Sequence, residues 1–240
     1  MYVISRIKQS FHRMVCADPT LHGAVLNLYL NGEAYPQRVL DYFPYYAANT
    51  EELSNKVQQH MQDEDKHVAL YNKALIKIRQ PIVELPIENC FNHIIRQYMA
   101  NSFTIDIQKD NRDQQTLKLA HFLAHAHFLE KRVTHSLEYH LDACLVTNSE
   151  PYIAKAVQTV LDDELRHVEY TRQAVFELLP KQLAKDILQS HQYSEKVANL
   201  DFSSAQVQRM LKDYRNHFST TEHALYRMYS TFMVIGKNYV

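Results

Sequence analysis

The apolar residues of this chain recur at spacings of three and four almost throughout, which predicts an all-α protein. Ser5 to Cys16 reads as a short leading helix that stops before Asp18-Pro19. From Thr20 to Ala48, Val25, Leu26, Tyr29, Leu30, Leu40 and Phe43 form a stripe, interrupted by Asn31-Gly32, Pro36 and Pro44, where kinks or a break are expected. Asn49 followed by Glu52 is a capping-box candidate for a helix over Thr50 to Arg79, with Leu53, Val57, Met61, Val68, Tyr71 and Leu75 on one face. Pro81 and Pro86 break the chain, and Ile87 to Asp110 reads as a crossover helix.

A long helix is then expected over Gln114 to Val146, striped by Leu119, Phe122, Leu123, Ala126, Val133, Leu137 and Leu141. After a turn at Thr147-Asn148-Ser149, a further helix spans Glu150 to Leu179, with Ile153, Val157, Val160, Leu161, Val168 and Val175 inward, and Pro180 ends it. The remainder from Lys181 reads as two or three amphipathic helices. In the last of these, Ala224, Leu225, Met228, Phe232 and Met233 are read as a packing stripe. The expectation is one domain over residues 1–240, with a bundle over about 20–180 and extra helices over about 181–240.

Two short segments break the apolar pattern in the same way. Asp63-Glu64-Asp65-Lys66-His67-Val68 and Asp163-Glu164-Leu165-Arg166-His167-Val168 both read Asp-Glu-x-basic-His-Val, each in mid-helix. Residues three apart share a helix face, so Glu64 with His67, and Glu164 with His167, can each reach one ion. Both pairs lie inside apolar stripes, where a carboxylate must take up a proton or pair with a cation. Glu130 and Glu33 interrupt their stripes similarly. Glu33 lies 16 residues before Asn49 and Glu64 lies 15 after it; Glu130 lies 18 before Asn148 and Glu164 lies 16 after it. Each antiparallel hairpin thus sets one lone glutamate level with one Glu-x-x-His. Two hairpins supply four carboxylates and two imidazoles, the set that a dinuclear site in a four-helix bundle requires.

On these residues, from about Thr20 to Leu179, the sequence resembles the ferritin-like di-iron carboxylate superfamily, an antiparallel four-helix bundle. Asp-Glu-x-Arg-His at 163–167 is similar to the signature of its oxygen-activating oxidase and monooxygenase branch. The resemblance implies metal ligands Glu33, Glu64, His67, Glu130, Glu164 and His167. It also implies that Asp63 and Asp163 each hydrogen-bond a ligand histidine, and Arg166 and Lys66 are placed to hold those carboxylates. Lys66 departs from the usual arginine, and Asn31-Gly32 and Pro36 are unusually close to Glu33. Glu51 and Glu52 are the alternatives to Glu33, although capping explains residues at a helix start. The cofactors implied are two iron ions, or manganese at one or both positions.

The activity implied is O2-dependent oxidation of a small organic substrate. Iron handling (ferroxidase or storage) and non-catalytic metal binding are the alternatives. His127, one turn from Glu130, is a candidate seventh ligand among the helix-borne His121, His125, His127, His135 and His140. Tyr71 and Tyr170 are read as core residues, with a redox role as the sharper alternative.

Composition narrows the partners. The 240 residues carry 26 basic and 27 acidic side chains, a formal charge of −1, which gives no support for a nucleic-acid surface. Fourteen histidines and 16 tyrosines stand beside no tryptophan. Cys16, Cys90 and Cys144 form no C-x-x-C pair, so they read as ordinary thiols in a reducing compartment, and no internal electron donor is visible. With no signal-peptide pattern over Met1–Ser10 and no bilayer-length apolar run, the expectation is a soluble cytoplasmic protein. Its expected partners are O2, the substrate, a separate electron-donor protein and a second copy in a homodimer, without nucleic acid or membrane.

Overall fold

A computed structural model of the chain describes residues 2–39, 43–99, 103–147 and 149–239; Leu40 and Asn148 lie outside the described residues. Among them the protein is all-α, with no strand. The helices are α1 (Tyr2–Ala17), α2 (Pro19–Glu33), α3 (Tyr35–Arg38), α4 (Glu51–Lys77), α5 (Phe91–Gln97), α6 (Arg112–Val146), α7 (Pro151–Leu178), α8 (Lys181–Asp213) and α9 (Thr220–Gly236).

Local chemistry sets the boundaries. The Asp18 carboxylate accepts from the amides of Thr20 and Leu21, and Pro19 opens α2. The break after α2 falls behind Glu33, so Asn31 and Gly32 remain helical and Glu33 ends a helix instead of interrupting one. Asn27 and Asn31 tie the segment after α4 to α2. Asn27 donates to the Pro81 carbonyl at 2.9 Å and accepts from the Val83 amide at 2.7 Å. Asn31 donates to the Val83 carbonyl and accepts from the Leu85 amide, both at 2.8 Å.

Four boundary expectations are corrected. Thr50, not Asn49, caps α4, because its hydroxyl accepts from the Leu53 amide at 3.2 Å. The same helix ends at Lys77, and Arg79 adopts a left-handed conformation (φ 55°) while the Gln80 amide reaches back to the Leu75 carbonyl. The expected crossover helix over Ile87 to Asp110 shrinks to a 3₁₀ turn (Ile87–Asn89) and α5. Farther on, the Asp106 carboxylate accepts from the amides of Gln108 and Lys109, and this competing turn replaces helix. On α9 the packed face is Tyr226, Tyr229, Ser230 and Met233, whereas Met228 and Phe232 are exposed. That helix is apolar over most of its circumference, so periodicity could not choose between faces.

Two core clusters flank the middle of the molecule. One gathers Leu53, Val57, Leu119, Leu123 and Val175; the other gathers Leu26, Tyr71, Leu75, Leu137, Ile153 and Val160. Helices α4 and α6 run from the first cluster to the second, and α7 runs back. The chemistry-bearing residues lie where the two clusters meet. A third cluster packs α1 and α2 against α8 and α9. No helix among the described residues is long and apolar enough to cross a membrane.

Candidate metal centre

All six expected ligands are buried: Glu33, Glu64, His67, Glu130, Glu164 and His167. Helix α2 contributes Glu33 from its last residue, α4 contributes Glu64 and His67, α6 contributes Glu130, and α7 contributes Glu164 and His167. Glu51 and Glu52 stand exposed at the start of α4, so Glu33 is the carboxylate that α2 and α4 bring into the group.

Two quartets of donor atoms lie within 4.8 Å of one another: Glu33, Glu64, His67 and Glu164, and His60, Glu64, Glu164 and His167. Glu64 and Glu164 belong to both. The two oxygens of Glu164 divide between the imidazoles, Oε1 at 3.3 Å from His67 Nδ1 and Oε2 at 3.0 Å from His167 Nδ1. Glu33 Oε2 lies 3.4 Å from the same His67 Nδ1. Glu130 lies beside the second quartet, 3.7 Å from His60 Nε2.

The outer nitrogens of the two histidines are braced crosswise. His67 Nε2 lies 3.1 Å from Asp163 Oδ2, and His167 Nε2 lies 3.3 Å from Asp63 Oδ2. Each aspartate therefore serves the imidazole of the other motif. Lys66 reaches Asp63 at 2.7 Å and Asp163 at 2.5 Å, while Arg166 pairs with Asp163 and, at 3.4 Å, with Asp63. The lysine that replaces arginine in the first motif thus performs the same task. Burial raises the pKa of Asp63 and Asp163, but hydrogen bonds from Lys66 outweigh it and hold both carboxyls below the usual range. Both then accept the imidazole N–H, which leaves the two Nδ1 atoms facing the carboxylates.

The carboxylates differ among themselves. Burial, then Glu33, Glu164 and Glu130, pushes Glu64 well above the ordinary glutamate value. Burial, then Glu164 and Glu33, does the same to Glu130. Glu164 moves down, because hydrogen bonds from His167 and His67 outweigh its burial. Against its own burial, His67 is raised to about 11 by hydrogen bonds to Glu164 and Glu33. Four carboxylates crowded in a nonpolar interior repel one another, and only protons or cations relieve this.

His60 escaped the sequence reading. It lies one turn before Glu64, with Nε2 at 3.3 Å from Glu64 Oε1 and Nδ1 at 2.7 Å from the Tyr170 hydroxyl. Its ring stacks on His167 with centroids 3.7 Å apart. The signal is present in His60-x-x-x-Glu64-x-x-His67, where His60 lies one turn before Glu64, but it has no counterpart in the second motif.

His127, the candidate seventh ligand, is 2.9 Å from the Val168 carbonyl and belongs to neither quartet. His121 meets His191, His125 lies against Phe103, and His135 is exposed beside Glu138. Tyr170 anchors His60, and Tyr71 is fully buried with an unpartnered hydroxyl.

The residues present could hold a metal ion. His60 Nε2, Glu64 Oε1 and Glu164 Oε1 are buried and form no well-directed hydrogen bond within the protein, yet all three face the shared centre. Oxygen-rich donors with a few imidazoles suit iron or manganese.

Beside the carboxylates opens a cavity of about 210 Å³. Glu33, Glu64 and Glu130 form part of its wall. The rest is largely apolar and includes Phe11 of α1, Val25 of α2, Val133 of α6, Val207 of α8 and Tyr226 of α9. No family model, curated protein or solved structure matches this chain.

Proposed function

We propose that this chain is a ferritin-like dinuclear carboxylate protein that uses O2 to oxidise a small, largely apolar organic molecule. The observation that carries this reading is the cavity, which brings an apolar wall up to three of the four glutamates. Glu33 and His67 would hold one ion, and His60, His167 and Glu130 the other. Glu64 and Glu164 would serve both. Two iron ions, or manganese at one or both positions, would supply the electrons that reduce O2.

The chain's own residues do the remaining work. Asp63 and Asp163 keep His67 and His167 in the tautomer that directs Nδ1 inward, and Lys66 with Arg166 fixes those aspartates. Tyr170 orients His60 through Nδ1. The four carboxylates offset the charge of two divalent cations, which makes the burial of both tolerable. Helices α8 and α9 add Val207 and Tyr226 to the apolar wall against which such a molecule would pack. A storage or ferroxidase role would require a polar route for iron and gains nothing from an apolar chamber. Electrons would arrive from a separate donor protein.

The test is anaerobic loading with iron(II), metal analysis and then O2 addition followed by absorbance and oxygen consumption. Two iron ions per chain and a rapid optical change on O2 addition are expected, with metal lost in Glu64→Ala and Glu164→Ala. Full metal occupancy in both variants would overturn the assignment.

A further inference from the structure

The second cluster of metal-ligating groups lies away from the carboxylates, in the three-way contact of α1, α2 and α6. Cys16 lies in the last turn of α1, His22 in the first turn of α2, and His140 and Cys144 stand one turn apart on α6. All four are buried, and their donor atoms lie within 4.8 Å of one another. The two Sγ atoms are 3.8 Å apart. Cys16 Sγ is 3.9 Å from His22 Nε2 and 3.8 Å from His140 Nε2, and the two Nε2 atoms are 2.9 Å apart.

These separations match a tetrahedron. With zinc–sulfur bonds of about 2.3 Å and zinc–nitrogen bonds of about 2.0–2.1 Å, the tetrahedral edges are about 3.8 Å for S–S, about 3.6 Å for S–N and about 3.3 Å for N–N. Only the two imidazoles stand closer than that, by less than half an ångström. The sulfurs are far outside the bonding distance of about 2.05 Å for a disulfide. His140 is also braced from behind: its Nδ1 lies 3.4 Å from the Tyr29 hydroxyl, which is itself 3.2 Å from Ser136 Oγ. That contact fixes the ring with Nε2 inward, as an outer partner does for a metal-bound histidine.

We propose that Cys16, His22, His140 and Cys144 form a closed structural zinc site, separate from the carboxylate centre and independent of its function. Binding converts two thiols to thiolates and releases two protons. The two negative charges then cancel those of the dication, so a neutral unit remains in the core. Two thiolates and two imidazoles select zinc over the harder ions that suit the glutamates. All four donors are protein groups, which leaves no open coordination position. The site would clip α1 and α2 to α6 across the Asp18-Pro19 break and so secure two walls of the cavity. On this proposal Cys16 and Cys144 are ligands, whereas Cys90 remains an ordinary thiol.

The experiment uses the full chain purified without chelator. One zinc per chain is expected, retained in the Glu64→Gln/Glu164→Gln double variant and lost in Cys144→Ser and Cys16→Ser. Cobalt(II) exchanged into the wild-type protein should give the intense visible bands of a tetrahedral ion, with near-ultraviolet thiolate-to-cobalt charge transfer. This measurement decides the matter even where a cysteine variant does not fold. Zinc content unchanged in Cys144→Ser would overturn the proposal. So would bound cobalt without the charge-transfer band, or a zinc-free wild-type chain that takes up no zinc with both thiols reduced.

Discussion

Replacing Glu64 by glutamine should change stability in opposite directions with and without metal. In the metal-free chain Glu64 is buried, its Oε1 accepts no well-directed hydrogen bond, and its pKa is raised by burial and by three neighbouring glutamates. Glutamine keeps the shape, removes the charge and offers an amide donor to the remaining carboxylates. An unsatisfied buried polar group costs about 1–3 kcal/mol, so the metal-free variant should be more stable by that order. For a chain of this length, each kcal/mol shifts the melting midpoint by roughly 2–4 °C. In loaded protein the sign reverses, because the variant lacks a carboxylate common to both quartets. A ligand at about 1,000 times its dissociation constant stabilises the folded state by about 4.1 kcal/mol, more than the gain above, and that contribution would be lost.

The pH dependence has a definite sign. The folded pKa of Glu64 lies above its unfolded value of 4.5, so between the two the folded chain binds more protons than the unfolded one. Wild-type metal-free stability therefore contains a Glu64 component that falls as pH rises through this window. The advantage of Glu64→Gln should be small below the ordinary carboxylate range and should widen above it. Chemical denaturation with chelator at about pH 5 and about pH 8, repeated with anaerobic iron(II) or manganese(II), measures each part. An equal loss of stability in chelated and loaded Glu64→Gln at both pH values would refute the reasoning.

Removing the Asp163 carboxylate in Asp163→Ala leaves His67 Nε2 without its brace and should weaken metal binding by about 10–100-fold in chelator competition; unchanged affinity would count against the crosswise arrangement. His60→Ala should lower bound iron from two per chain towards one, whereas His127→Ala should leave the content unchanged. Val133→Trp should fill the cavity, retain both ions and slow substrate-dependent O2 consumption, and equal rates would argue against the cavity as the substrate chamber. Arg79→Gly removes a side chain from a left-handed position and should raise stability by about 1 kcal/mol in a urea titration.

Much of the centre was legible along the chain, because helical spacing is a local property. Glu64 with His67, and Glu164 with His167, fall on inward faces whatever the helices pack against, and so does Glu130 within its stripe. Glu33 was anticipated from its level in a helical hairpin, but α2 ends at that residue, so its place beside Glu64 and His67 was set by packing. The all-α character and the breaks at Asp18-Pro19 and Pro180 were likewise written in local sequence.

What only the tertiary structure decided were relations between helices. That each aspartate serves the histidine of the opposite motif depends on how α4 lies against α7. His60 joins the centre because α4 and α7 stack its ring on His167, while His127 turns to a backbone carbonyl. The buried face of α9 was settled by α8 and the cavity, since its own pattern is apolar on several sides. Cys16, His22, His140 and Cys144 carry no motif in order along the chain, because one pair comes from the α1–α2 break and the other from α6. Spacing within one helix is set by backbone geometry, but proximity between distant segments is set by packing, which a linear pattern does not encode.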